Sequence, residues 1–466
     1  MNLVLVYPPF ELFKEGYGTT RPITKGYLPP IGIGYIAAAA KKEGHNVSIV
    51  DASVLHYNID EAKNAILRLK PDAIGIYSMT CTIETTGSLA KALKKESHVP
   101  IVLGGPHATC FPRETLNDYP DIDYVVAGEG ETVINPLLNA IKNGTEPSGI
   151  KGVSFRKNGS IIDGGKTTPI INIDEIERPS RELYQHRLYS PLPYAYRQTP
   201  ASTVLTARGC PYSKCKFCFV AGKMKERFRR HSVGRVIDEI EELYHKYGVR
   251  EILFLDSEFL FNENWVVPFC ELLKKKNMGI TWSSTGRVDS VSKRMLKAAK
   301  ESGCWGVYYG FESGVQKLLD TIEKGTTLEQ ARTAVAWTHE AGMETRGAFM
   351  AALPGETPEL FMKTIQFAID LDLTFAQFIA TFPDPGTELY DIAIKMGKTG
   401  PYRGMNKATY VPDGYKDSDE VEKMIRLAYR KFYLRGSYVL KSFKYIRNIN
   451  DVKRYIEGFF FVKGFT

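Results

Sequence analysis

Thr206-Ala207-Arg208-Gly209-Cys210-Pro211-Tyr212-Ser213-Lys214-Cys215-Lys216-Phe217-Cys218 is the stretch on which the reading turns. It follows an apolar run at residues 203–206 and places three cysteines on one short loop. Three thiolates can hold three irons of a [4Fe–4S] cluster, which normally takes four Cys ligands. Three leave one iron open, and an open metal position lets a metal centre bind a substrate. A structural zinc knuckle would want a fourth Cys or His close by. The next cysteines are Cys270 and Cys304, which read as core residues, and the nearest downstream His, His231, lies in a basic segment. An odd total of 7 Cys and no secretory signal weigh against a disulfide framework.

Composition agrees with a cytoplasmic enzyme. The chain has 466 residues, room for two or three domains. With 43% hydrophobic and 24% charged residues it can bury a large core and is not disordered. Met1-Asn2-Leu3-Val4-Leu5-Val6-Tyr7-Pro8-Pro9 lacks a basic leader region and reads as a first strand, not a signal peptide. The longest apolar candidate, residues 31–40, ends at Lys41-Lys42, short of the roughly 18 residues a membrane span needs. The net charge of +8 is local: from Lys423 onward eleven basic residues face only Asp451 and Glu457.

Residues 1–145 alternate strand-like runs (3–7, 47–50, 73–77, 101–103, 124–127) with helix-like runs (33–42, 60–69, 85–95, 131–142). That alternation predicts a doubly wound parallel sheet, whose ligands lie beyond the carboxyl ends of the strands. Those ends read Tyr77-Ser78-Met79-Thr80, Gly104-Gly105-Pro106-His107-Ala108-Thr109 and Ala127-Gly128-Glu129-Gly130-Glu131. A G-x-G-x-x-G fingerprint after the first strand is absent, which argues against NAD or FAD. Residues 146–200 read as a connector with a hairpin at Asn158-Gly159.

From residue 201 the alternation resumes, with strands expected at 203–206, 251–255, 280–284, 306–309, 345–350 and 375–380. The helix over 233–247 is capped by Ser232 and stopped by Gly248. In barrels the chemistry lies at the C-terminal strand ends. The chain offers there Asp256-Ser257-Glu258, Ser284-Thr285-Gly286-Arg287, Gly310-Phe311-Glu312-Ser313-Gly314, Arg346, Leu353-Pro354-Gly355-Glu356-Thr357 and Asp384-Pro385-Gly386-Thr387. A carboxylate such as Glu312 on an apolar strand end is costly unless paired, either with a ligand or with a barrel arginine. Arg287 and Arg346 can form bidentate pairs with a carboxylate, of a ligand or of the protein.

The order strand, glycine, cysteine cluster, basic helix resembles the radical S-adenosylmethionine (SAM) enzymes. Tyr27-Leu28-Pro29-Pro30-Ile31-Gly32-Ile33-Gly34-Tyr35-Ile36-Ala37, Gly104-Gly105-Pro106-His107 and Gly128-Glu129-Gly130-Glu131 together look like the cobalamin-binding domain of the B12-dependent members. The resemblance covers most of residues 1–400. One departure is the first gap of the Cys motif, four residues where the family has three. The resemblance implies an α/β chain: a Rossmann-like cobalamin-binding domain (1–145), a linker (146–200), a partial (β/α)6 radical SAM barrel (201–400) and a basic helical C-terminal region (401–466). It implies a cluster on Cys210, Cys215 and Cys218. It implies SAM contacts from Phe217, Ser284, Arg287, Glu312 and Arg346, and cobalamin contacts from Ser78, Thr80, Gly104, Gly105, His107, Gly128, Glu129 and Gly130. No Asp-x-His-x-x-Gly motif is present, which on this resemblance implies cobalt without a protein imidazole.

The implied activity is methylation of an unactivated carbon by way of a 5′-deoxyadenosyl radical and a cobalamin-borne methyl group. The preferred substrate is a peptide or protein side chain, such as the glutamine of methyl-coenzyme M reductase. Methylation or radical cyclisation of a lipid or another small molecule is the alternative, and a cobalamin or iron–sulfur sensor is the rival of another class. A one-electron donor such as ferredoxin or flavodoxin is the implied partner, and no nucleic-acid-binding module is recognisable. Residues 415–466 interleave basic and aromatic residues and read as a helical cap, with contact to an anionic membrane surface or to an acidic substrate as sharper alternatives.

Overall fold

The computed structural model describes residues 1–11, 26–224, 226–398, 400, 404–442 and 452. It divides into two compact units, Met1–Glu11 with Pro29–Tyr189, and the described residues from Ser190 onward together with 26–28.

The first unit is built on a seven-stranded sheet of β1 (Asn2–Tyr7), β2 (Asn46–Asp51), β3 (Ala73–Tyr77), β4 (Ile101–Gly104), β5 (Tyr124–Val126), β6 (Val153–Lys157) and β7 (Ser160–Ile162). The strand order is β2-β1-β3-β4-β5-β6-β7. The first five strands are parallel, and β6 and β7 continue the sheet antiparallel. Leu3 to Val6 are all buried, as a parallel strand covered by helices on both faces requires. The order 2-1-3 puts the topological switch between β1 and β3, where ligands of such sheets bind. Asn158 (φ 49°) and Gly159 (φ 78°) both take positive φ, the conformation that a tight type I′ hairpin demands. The stretch expected as a connector therefore supplies two strands of this sheet, and the first unit runs on to Tyr189. The short helices Pro106–Cys110 and Pro112–Asp118 escaped the periodicity; each opens on a proline, which fits a first helical turn.

The second unit holds β8 (Ala201–Val204), the two-residue ribbon β9 (Ala207–Arg208) and β10 (Arg229–Arg230), and then β11 (Glu251–Phe254), β12 (Thr281–Gly286), β13 (Cys304–Glu312), β14 (Glu344–Ala351) and β15 (Phe375–Ala380). The six-stranded sheet runs β15-β14-β13-β12-β11-β8, and every pair is parallel. Each barrel strand thus lies beside its neighbour in the chain, the arrangement of an open (β/α)6 barrel. Ser232 caps the helix Val233–Tyr247 by accepting from Arg235 N–H, and Gly248 ends it in the left-handed region. Phe254, Phe259, Phe269 and Trp282 pack edge to face and stacked in the wall of the barrel. The open edge at β15 is covered by the helix Ser418–Tyr433. Tyr433 Oη accepts from Ala376 N–H (3.0 Å) and Tyr429 Oη from Phe378 N–H (3.3 Å), so edge N–H groups that could pair with another chain are occupied.

Candidate active site

The cysteine loop starts where β8 ends. Asp256, just past β11, accepts from Thr206 N–H (3.0 Å) and Thr206 Oγ1 (2.8 Å), which fixes the loop's root. Within the four-residue first gap Ser213 takes a left-handed backbone (φ 47°), uncommon for a residue other than glycine. Two segments then clamp the loop. Tyr212 Oη donates to Glu323 O (3.0 Å), and Lys216 N–H donates to Ile322 O (3.1 Å). On the other side Leu389 N–H donates to Lys216 O (3.0 Å), while Lys216 Nζ lies 3.0 Å from Glu323 and 3.2 Å from Glu388.

Cys210, Cys215 and Cys218 are unpaired and half-buried. Among the described residues no three His, Cys, Asp or Glu side chains converge as one ion would require. The donor set fits a cluster better, because a cluster takes each thiolate on a different iron. Burial pushes the Cys215 thiol up to about 11, while the nearby Lys324 and Arg287 cations pull against that shift.

Buried charge surrounds the loop. Glu312 ends β13 with φ 62° and its Oε1 lies 2.9 Å from the Nζ of Lys324, so the barrel supplies its counter-charge as a lysine. Both members of the pair are buried. Arg287, directly after β12, gives Nε (3.0 Å) and Nη2 (2.9 Å) to the Asp289 carboxylate, and Nη2 also reaches Lys324 O (3.0 Å). Its guanidinium stacks 3.9 Å from the Tyr212 ring centroid. Phe217 packs against the cluster of Leu318, Ile322, Met350 and Leu353, with Lys324 Nζ 5.9 Å from its ring. Ser284 Oγ, Asp256 Oδ2 and Glu258 Oε1 are buried with no hydrogen-bond partner among the described residues. Burial pushes Asp256 up to about 6, with Arg230 opposing, and raises Glu258 as well. Buried acceptors of this kind need donors, and the ammonium and ribose hydroxyls of SAM are donors of the right chemistry.

Arg346 lies apart from the other residues of the expected SAM set. It is the third residue of β14 and pairs with Phe375, the first residue of β15, so it lies at the N-terminal end of the barrel. There it stacks on Trp305 (4.6 Å) and donates to Tyr194 O (3.2 Å). The neighbouring Glu344 binds Arg197, and Trp305 Nε1 donates to Glu251 (2.7 Å). Strand polarity separates this network from the cysteine loop. Conversely, Lys324, Tyr212 and Asp289 were not singled out in the sequence; Glu323-Lys324-Gly325 resembles any polar turn between helices.

In the first unit the C-terminal strand ends carry Tyr7 stacked on Tyr77 (5.4 Å). Ser78 is buried and donates to Gly104 O (3.0 Å), tying β3 to β4. Gly105 (φ 106°) has no room for a side chain: a Cβ would stand 2.6 Å from Ser78 O. At Gly128 (φ 101°) it would stand 2.3 Å from Thr167 Oγ1. The Glu129 carboxylate accepts from Ile170 N–H (2.6 Å), and Gly130 packs on Ile36. These five positions therefore shape the turns themselves. Gly104 has open space about it, Thr80 is half-buried in a helical turn, and His107 Nδ1 is buried with no partner among the described residues. Burial pushes His107 down to about 4, so the ring is neutral at physiological pH. A neutral ring nitrogen and open glycine backbone suit the amide-rich rim of a corrinoid.

Comparison with known proteins supplies the family. Residues 24–138 match the B12 binding domain, and residues 204–368 match the Radical SAM superfamily. Over 447 residues the chain is 34% identical to an uncharacterised methyltransferase of Pyrococcus horikoshii, covering 95% of this chain and 94% of that protein. It is 28% identical over 430 residues to an anaerobic magnesium-protoporphyrin IX monomethyl ester cyclase of Rubrivivax gelatinosus, covering 90% of this chain and 76% of the other. Among solved structures, the radical SAM methyltransferase TsrM of Kitasatospora setae with cobalamin and a [4Fe–4S] cluster superposes with a TM-score of 0.71 at 17% identity, covering 93% and 88%. The chain belongs to the cobalamin-dependent radical SAM enzymes of methyltransferase type. Its cofactors are cobalamin, SAM and a [4Fe–4S] cluster.

Proposed function

We propose that the protein methylates an unactivated carbon of a peptide or protein side chain, with a primary amide such as that of glutamine as the type substrate. We assign the cluster to Cys210, Cys215 and Cys218, SAM to the barrel end around Phe217, Ser284 and Glu312, and cobalamin to the strand ends around Thr80, Gly104 and His107. When bound, the cluster with SAM supplies a hydrogen-abstracting radical and cobalamin supplies the methyl group. The protein's own share is orientation and exclusion of competing reactions. Asp256 roots the cysteine loop, Tyr212 and Lys216 hold it in place, and Phe217 gives an apolar face.

The observation that carries the substrate class is the set of unsatisfied buried acceptors at the ends of β11 and β12: Asp256 Oδ2, Glu258 Oε1 and Ser284 Oγ. Asp384, after β15, adds a carboxylate that burial pushes up to about 6. SAM satisfies part of this set. A hydrocarbon would leave the rest unpaired, at about 1–3 kcal/mol per group, whereas an amide brings N–H donors. The electron for SAM cleavage comes from a one-electron donor of the ferredoxin or flavodoxin class. The test is anaerobic incubation of reduced enzyme with methyl-labelled SAM and an extract, followed by fractionation. Carbon-bound label in protein supports the reading; label in the lipid or small-molecule fraction overturns the substrate class and leaves the reaction class standing.

A further inference from the structure

The ion pair beside the cysteine loop points beyond the reaction class. The segment from Ile322 to Gly325 follows the loop along its length. Ile322 O receives Lys216 N–H, Glu323 O receives Tyr212 Oη, and a Cβ on Gly325 would stand 2.0 Å from Tyr212 Oη. Lys324 lies within that segment, and its buried ammonium stands 5.9 Å from the ring centroid of Phe217 and near enough to Cys215 to pull its thiol down. Its partner is Glu312 Oε1 at 2.9 Å, and the second cation, Arg287, is matched by Asp289. A buried charge here is screened far less than one in water.

We propose that the Lys324–Glu312 couple sets the reduction potential of the cluster on Cys210, Cys215 and Cys218, Lys324 favouring the reduced state and Glu312 opposing it. The inference rests on the cluster assignment above. Accepting one electron adds one negative charge to the cluster, and local charge is among the determinants of cluster potential. The ammonium stabilises that added charge. The carboxylate 2.9 Å away offsets part of the effect and holds the ammonium in place. Neither needs to touch the iron for this effect, and the measurement is made without SAM so that the contact assigned to Glu312 does not enter it.

The experiment uses full-length protein with reconstituted cluster and no SAM. Iron and sulfide are counted first. A mediator-coupled titration with a low-potential chemical reductant, followed by EPR of the reduced cluster, then gives the midpoint. Lys324→Met is expected to leave about tenfold less reduced cluster at a fixed potential, a shift of roughly 59 mV downward for a one-electron couple. Glu312→Gln shifts it upward, the double variant returns near wild type, and Lys324→Arg stays near wild type. Unchanged midpoints in both single variants at full iron content, or shifts in the same direction, overturn the proposal. So does loss of the cluster in the charge variants, which makes the pair merely structural. Full iron content in a variant lacking all three cysteines contradicts the cluster assignment instead, so the two failures are distinguishable.

Discussion

Ser213, inside the four-residue gap of the cysteine loop, holds a left-handed backbone with φ 47°. Glycine relieves such strain and a β-branched residue increases it. Ser213→Gly is expected to retain full iron content and to match or exceed the wild-type melting temperature. Ser213→Val should lose about 1–3 kcal/mol of stability by chemical denaturation. Equal stability of the two variants would show that the loop's geometry does not depend on this turn. Arg346 supplies a second contrast. Its guanidinium stacks on Trp305 at the N-terminal end of the barrel, so Arg346→Met should lower thermal stability and leave SAM affinity unchanged by calorimetry. A large loss of affinity at unaltered stability would return Arg346 to the SAM site. The residues legible in the sequence were those whose type and spacing carry chemistry: the three cysteines, and Glu312 on an apolar strand. Lys324 was not legible, because nothing in Glu323-Lys324-Gly325 distinguishes a buried lysine from a solvated one until the tertiary fold brings Glu312 to it.

Between elements, Glu356 joins the turn after β14 to the C-terminal segment. Its Oε1 accepts from Ala352 N–H (2.6 Å) and Tyr415 Oη (2.7 Å), and Ala352 itself holds a positive φ of 63°. Burial pushes Glu356 up to about 8, so the folded protein favours the protonated acid. The stabilisation from this group is fully present below the ordinary carboxylate value near 4.5 and is lost as pH rises through about 8. Melting temperatures of the wild type should therefore fall more steeply than those of Glu356→Gln between pH 6 and pH 9. Parallel curves would refute the assignment. The parallel strands were legible from alternation of strand and helix patterns, as were the Ser232 and Gly248 helix limits. Register was not: β13 begins at Cys304 and β14 at Glu344, before their expected starts, and Arg346 stands near the start of β14, away from its carboxyl end. Residues 146–200 read as a connector with a hairpin because the hairpin is local, whereas the pairing of β6 with β5 that adds it to the first sheet is tertiary.

For the whole molecule, the described part of the basic C-terminal region divides by burial. Tyr429, Phe432 and Tyr433 are buried on the barrel, whereas Arg430 and Lys431 are exposed. No helix among the described residues is long and apolar enough to cross a membrane. The side chains of Lys441 and Lys444 and of the basic residues after them lie outside the described residues, so the expectations placed on them rest on charge alone. A cap predicts that Tyr433→Phe costs about 0.5–1.5 kcal/mol of stability, while neutralising Arg430 and Lys431 stays within about 0.5 kcal/mol and leaves the substrate KM and its salt dependence unchanged. A raised KM in that charge variant would assign the face to substrate docking. In the proposed function one chain couples SAM cleavage at the cysteine loop to methyl transfer onto carbon. Anaerobic turnover with methyl-labelled SAM, measuring 5′-deoxyadenosine and the position of the label together, tests that coupling. Turnover should give 5′-deoxyadenosine alongside carbon-bound label, with both lost when Cys210, Cys215 and Cys218 are replaced by alanine; label on nitrogen, oxygen or sulfur without 5′-deoxyadenosine, or undiminished 5′-deoxyadenosine from the triple variant, would show that the cysteine loop does not drive the reaction.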